Sequence, residues 1–307
     1  MSQVKTFARN SQNKLILNPL KLDAQWFTLV PDATPTIALP APVVVASGVT
    51  SGPIVFTVGQ DGPFEGAYLT CHRRATVGFA ESFQNTLVDI YDEGAKRNLM
   101  NQPIHIDCLF GKTIAAPAGT VGIGPHLLAE SLYLNPQRTL TMRFNNNGGG
   151  VGVSLDYWPA IHGTRYYSYA NPSRELAVAV EKRAARARVS SPFWLTTDMG
   201  IAAQPAASLA NYQTTVTADG HFEWWKTTYV ADQDFLLSFI DRRNGRSMSN
   251  NPIYCRAGMG TASFPFILPE HTLLQANSQL QLVVQNLAAA ATLTAYITLC
   301  GRRIYVA

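Results

Sequence analysis

DEGAKRNLMNQPIH, residues 92–105, and DRRNGRSMSNNPIY, residues 241–254, carry one pattern twice. Asp92 matches Asp241, Arg97 matches Arg246, Asn101 matches Asn250, and Pro103-Ile104 match Pro252-Ile253, always 149 positions apart and without a gap. Gly111 and Gly260 extend the register. A match held in step over 92–111 marks a duplicated unit.

Downstream, the first copy carries about nine extra residues within 112–124, and the match then resumes with PHLLAES (125–131) against PFILPEH (265–271). An insertion at one point marks a loop. TLTMRFNNN (139–147) then matches QLQLVVQNL (279–287), and GTRYY (163–167) matches GRRIY (301–305). Leu140, Met142 and Phe144 alternate with Thr139, Thr141 and Arg143, as Leu280, Leu282 and Val284 do with Gln279, Gln281 and Val283, so each run reads as a strand with one face in the core. Val151, Val153, Leu155 and Tyr157 continue the pattern in the first copy, and Leu293, Ala295, Ile297 and Leu299 in the second. NNNGG (145–149) reads as a turn, since Asn and Gly accept the positive φ that tight hairpins need. Short strands punctuated by Gly, Pro and Asn predict an all-β chain of two related antiparallel β-sandwich, jelly-roll-like units.

The expected division is an extended amino-terminal arm at 1–50, sandwich unit 1 at 51–168, a helix with a connecting segment at 169–220, and sandwich unit 2 at 221–307. Pro31, Pro35, Pro40 and Pro42 exclude a helix from the arm, and its apolar content suits an edge strand or an arm ordered on a neighbour. Asn171 as cap and Pro172 at the first helical position open one intervening helix that runs to about Arg188. Leu176, Val180, Ala184 and Ala187 fall on one of its faces, and Lys182, Arg183 and Arg186 cluster opposite. A solvated polar face is the simplest reading of that cluster, and an acidic partner or nucleic acid the sharper one. The stretch 196–220 has no clear period and reads as a long connection.

A chain of 307 residues can bury a sizeable core, and 47% apolar with only 14% charged residues places it among folded proteins with covered surfaces. A net charge of +4 is too small to argue for nucleic acid as a partner. No run of about twenty apolar residues suggests a membrane span, and the first twenty residues carry Lys5, Arg9 and Lys14 rather than a hydrophobic signal region, so folding in a cytoplasm is expected. Cys71, Cys108, Cys255 and Cys300 lack metal-site or disulfide-framework spacing and read as buried free thiols.

Catalytic signatures are missing: no G-x-S-x-G, H-E-x-x-H, phosphate-binding or dinucleotide-binding motif is present. The histidines at 72, 105, 126, 162, 221 and 271 have no metal-ligand spacing, and nothing in the sequence brings Asp89 with Asp92, or Asp107 with Glu130, together in a cleft. Neither a cofactor nor enzymatic activity is expected. Asp92, Arg97, Asn101 and Pro103, with Asp241, Arg246, Asn250 and Pro252, read as structural loop braces, in which the Asp accepts bonds from turn amides or from the Arg. Phe222, Trp224 and Trp225 read first as core or interface anchors and more sharply as a platform that stacks a sugar or a base, and with Lys182, Arg183 and Arg186 they are the candidate interface residues.

Each copy runs from a strand ending in Asp through a Gly/Arg/Asn-rich loop to Asn-x-Pro-Ile and Gly. It continues with Pro-x-x-L-x-E, or in the first copy Pro-x-x-L-Ala129-Glu130, then a strand ending in Asn and a last strand into Gly-x-Arg-x-Tyr. This pattern resembles structural proteins of tailed-phage virions, over roughly 80–167 and 229–307. The resemblance implies a non-enzymatic building block that decorates, cements or joins a capsid shell, as a head decoration, cement, vertex or neck part. Its partners would be copies of itself and other virion proteins, and its location the virion, after assembly in the host cytoplasm. A double jelly-roll major capsid protein is the second expectation, and a receptor- or glycan-binding tail module anchored by Phe222, Trp224 and Trp225 the third.

Overall fold

Alternating side chains do what the pattern predicts: in TLVDIYD, every second residue from Thr86 to Asp92 is buried and the others reach outward. The computed structural model describes residues 7–9, 15–17, 24–32, 43–46, 48–75, 86–110, 115–116, 119–120, 126–147, 155–167, 174–197 and 201–305. A small hairpin of β1 (Phe7–Arg9) and β2 (Leu15–Leu17) comes first. Unit 1 contains β3 (Ala24–Leu29), β4 (Val43–Val45), β5 (Val49–Thr50), β6 (Ile54–Thr57), β7 (Phe64–Ala75), β8 (Thr86–Asp92), β9 (Arg97–Asn98), β10 (Ile104–His105), the short helix α1 (Ile106–Phe110), β11 (Ala115–Ala116), β12 (Gly119–Thr120), β13 (His126–Leu134), β14 (Thr139–Asn146) and β15 (Leu155–Tyr166). After helix α2 (Arg174–Val189), unit 2 contains β16 (Ser190–Thr196), β17 (Ile201–Gln204), β18 (Leu209–Thr215), β19 (Gly220–Ala231), β20 (Phe235–Asp241), β21 (Arg246–Ser247), β22 (Ile253–Tyr254), α3 (Cys255–Gly258), β23 (Phe266–Leu274), β24 (Gln279–Asn286) and β25 (Leu293–Tyr305).

Both units have one topology. The front sheet runs β3-β15-β7-β13 in unit 1 and β16-β25-β19-β23 in unit 2. The back sheet runs β6-β14-β8-β10 and β18-β24-β20, with β21 and β22 on β20. Counted along each unit, the principal strands are ordered 1-8-3-6 and 2-7-4-5, and every pairing is antiparallel. That is a jelly roll, made twice. Each has its own core, with Phe56, Phe64, Phe144 and Tyr157 central to the first and Phe193, Phe222, Trp224 and Phe235 to the second.

The repeat reaches backbone conformation. Lys96 and Gly245, at matching positions, both take positive φ, 52° and 67°, to close the loop after the Asp. Gly163 and Gly301 match likewise, and a Cβ on either would overlap a carbonyl oxygen, that of Glu65 or Glu223, on the neighbouring strand.

The expected boundaries are corrected at two places. Residues 24–29, 43–45 and 49–50, assigned to an arm, are strands of unit 1, while 190–196, 201–204 and 209–215, assigned to helix and connection, are strands of unit 2. SSPFWLT (190–196) is buried at every residue, so it shows no alternation, and LANYQTT (209–215) is a mostly exposed edge strand with little apolar signal. Asn171, Pro172, the prolines at 35, 40 and 42, Gly111 and most of the inserted loop lie outside the described residues, as does the end of the turn at 148–149.

Candidate assembly interface

The duplicated loop has two different surroundings. In unit 1, Leu99, Met100, Ile104, Ile106, Cys108, Leu109 and Phe110 are all buried, in one cluster with Trp194, Tyr296 and Cys300 of unit 2. Along β25, Ala295, Ile297 and Leu299 point into unit 2's own core, so Tyr296, Thr298 and Cys300 form the outer surface of its front sheet. The loop of unit 1 is therefore packed on the outside of unit 2. Each fully buried Leu, Ile or Phe contributes roughly 1.5–3 kcal/mol relative to exposure.

Backbone bonds fix the register. Trp194 N–H donates to Leu99 O at 3.1 Å and Asn101 N–H to Trp194 O at 3.3 Å, so 99–101 lies parallel along the edge strand β16. The Asn101 side chain then clamps Thr196: its Nδ2 donates to Thr196 O at 2.9 Å, and its Oδ1 accepts from Thr196 N–H at 2.9 Å. Gln102 Nε2 adds a bond to Thr196 O at 3.3 Å. Behind the clamp, Thr228 Oγ1 donates to Cys108 O at 3.0 Å, His105 lies 4.7 Å from the Tyr296 ring, and His126 Nδ1 meets Ala262 O at 3.0 Å. Lys226 Nζ donates to Leu127 O. Burial, reinforced by the Lys226 charge and opposed by the bond to Ala262 O, pushes the His126 imidazole down to about 3. Burial likewise pushes the Cys108 thiol up and Cys300 up to about 11, so both thiols stay protonated at neutral pH.

An ionic strip seals the border. Glu130 accepts from Arg186 Nε at 2.6 Å and Ser190 Oγ at 3.0 Å, with Arg302 at 3.8 Å. Arg302 also pairs with Glu223, which His271 approaches at 3.3 Å. Arg183 Nε bonds Glu65 at 2.9 Å. Burial pulls the Glu65 carboxyl upward, but bonds from Ser131, Tyr166 and Arg183 outweigh it and hold it below the usual range. Arg183 and Arg186 thus hold α2 on unit 1, and their face is not simply solvated as expected. Lys182 is exposed at a cleft lined also by Glu65, Glu130 and Tyr133.

The sequence-selected residues divide. Asp92 Oδ1 accepts from Ala95 N–H, and Asp241 accepts from Arg243 N–H and from Asn244 Nδ2, so both aspartates hold turn groups. Each Asp faces its Arg across the hairpin, Asp92 opposite Arg97 and Asp241 opposite Arg246, but the arginine side chains turn elsewhere: Arg97 reaches Ala187 O at 3.0 Å and the Tyr305 ring at 4.5 Å, while Arg246 is exposed. Pro103 and Pro252 lead into β10 and β22. Phe222 and Trp224 are corrected from interface to core: strand parity turns them inward against Phe193 and Phe239. Trp225, at the bulge in β19, is half-buried and stacks on His271 at 4.4 Å with Arg302 above it. Asp89 and Asp92 take alternate faces of β8.

No family model matches the chain, and no curated protein matches it in sequence. Among solved structures, it is similar to an archaeal-virus protein described under "The Triple Jelly Roll Fold and Turret Assembly in an Archaeal Virus", at 12% identity and a TM-score of 0.24, over 86% of this chain and 58% of that one. The infectious bursal disease virus VP2 subviral particle follows at 8% identity and 0.23, over 92% of this chain and 41% of that one. The human MASP-1/3 CUB1-EGF-CUB2 domain matches at 9% and 0.21, over 90% and 99%. This chain thus spans little more than half the length of the first of these, and the jelly-roll assignment rests on its own strand order.

Proposed function

We propose that this chain is a non-enzymatic structural subunit of a virion, working through subunit surfaces rather than a pocket. One observation carries the reading: two complete jelly rolls stand in one chain, and a buried, hydrogen-bonded contact joins them. Large symmetric shells draw stability from repeated contacts of this kind. The resemblance of the repeat to tailed-phage virion proteins points the same way and favours a part that decorates, cements or joins the shell.

A second reading, a double jelly-roll major capsid protein, is favoured by the completeness of both units. Quantitative mass spectrometry of purified particles separates them. A chain that dominates particle protein is the shell itself. A minor, removable chain is a decorating or joining part. Absence from particles overturns both.

A further inference from the structure

The surface that docks unit 1 on unit 2 recurs, open, on unit 2. Met248 and Tyr254 are 40% and 37% exposed where their counterparts Leu99 and His105 are fully buried, and Phe266 is 36% exposed where His126 is buried. Ile267, at 69%, and Leu273, at 55%, widen the patch. Asn250, the counterpart of the clamping Asn101, is exposed.

The receiving surface also recurs. Strand β3 holds in unit 1 the place of β16 in unit 2, at the end of the front sheet beside the last strand. The register makes Thr28 the counterpart of Trp194, Val30 of Thr196, and His162 of Cys300. Among the described residues no strand pairs with the outer edge of β3, and Trp26 and Val30 beside it are 67% and 47% exposed. A free edge of this kind accepts an extended segment through main-chain bonds.

We propose that residues 248–250 of one copy add to the free edge of β3 in a second copy, repeating between chains the contact made within the chain. Met248 O accepts from Thr28 N–H, Ser249 lies beside Thr28, and Asn250 clamps the backbone of Val30 as Asn101 clamps Thr196. His162, held by Thr28 at 3.0 Å and Thr70 at 2.8 Å, then lies under the incoming loop as Cys300 lies under α1. Such a contact joins two different surfaces, so it propagates head to tail into a ring or an open array. It deepens the reading as a virion subunit and rests on that reading for its setting, while the contact itself follows from the repeat.

The full-length chain tests it in sedimentation velocity over a wide concentration range. Concentration-dependent assembly is expected, weakened roughly tenfold by Asn250→Ala, which removes two hydrogen bonds at an exposed site. Thr28→Pro, which removes the outward N–H of an edge strand, should do the same. The double variant Thr28→Cys/Ser249→Cys should form interchain disulfides under mild oxidation, and neither single variant should. Assembly that ignores Asn250→Ala and gives no such disulfide overturns the contact and leaves the virion reading standing. A chain that stays monomeric, with a double variant that does not cross-link, also overturns the contact, and particle composition then decides the virion reading separately.

Discussion

Replacing Asn101 by Ala should destabilise the chain far more than the same change at Asn250, although the two residues match in the repeat. Asn101 makes two side-chain bonds to the backbone of Thr196, a buried residue. Without it, Thr196 O still accepts from Thr214 Oγ1 at 2.9 Å, but Thr196 N–H loses its bond to Oδ1. A stranded buried donor costs about 1–3 kcal/mol and the second lost bond about 0.5–1.5, so about 2–4 kcal/mol is expected in all. Asn250→Ala, at an exposed site, should stay within about 0.5 kcal/mol. Urea unfolding followed by tryptophan fluorescence, at concentrations low enough to keep the chain monomeric, measures the difference. With an m of about 3 kcal/mol/M, Asn101→Ala lowers the midpoint by roughly 0.7–1.3 M. Equal effects of the two substitutions, or a loss below about 0.5 kcal/mol at Asn101, would refute the clamp.

Lys96→Gly should stabilise unit 1 by up to about 1 kcal/mol, because Gly takes the left-handed conformation that Lys96 adopts at a cost, and Gly245→Ala should destabilise unit 2 by about 1 kcal/mol; thermal unfolding reads both. Trp224→Ala should cost about 3–5 kcal/mol by opening a core cavity, and Trp225→Ala clearly less, as judged by unfolding midpoints. His126 is neutral in the folded chain down to about pH 3, whereas the unfolded chain protonates it near 6.5. Its folded pKa is depressed, the unfolded state binds the extra proton, and stability falls on acidification by about 1.4 kcal/mol per pH unit within that window. His126→Asn should flatten that part of the stability curve, which urea midpoints between pH 4 and 7 would record.

The duplicated loop was legible because its chemistry is local: an Asp that holds turn amides, a residue at positive φ and a proline set the same path in both copies. The first strand of unit 1 and the first two strands of unit 2 were not. SSPFWLT is covered on both faces, by its own core and by the loop of unit 1, so burial erased its period. Phe222 and Trp224 were readable as aromatic but not as buried, since parity along β19 decides which way each points. The interface left no local trace at all. Asn101 and Asn250 sit in near-identical sequence, and only the neighbour that one has found and the other lacks tells them apart.

The sharing of Trp194, Tyr296 and Cys300 with the core of unit 1 has a consequence for biosynthesis. Unit 1 has all its own strands once residue 166 is made, yet the cover for its loop arrives with β25, which ends at Tyr305. At synthesis rates of about 5–20 residues per second, the apolar loop stays uncovered for on the order of ten seconds on each ribosome. Neighbouring nascent chains on one message would offer each other the wrong unit 2, so the pace of translation, and any holdase that shields 99–110, bears directly on the yield of correctly closed chains.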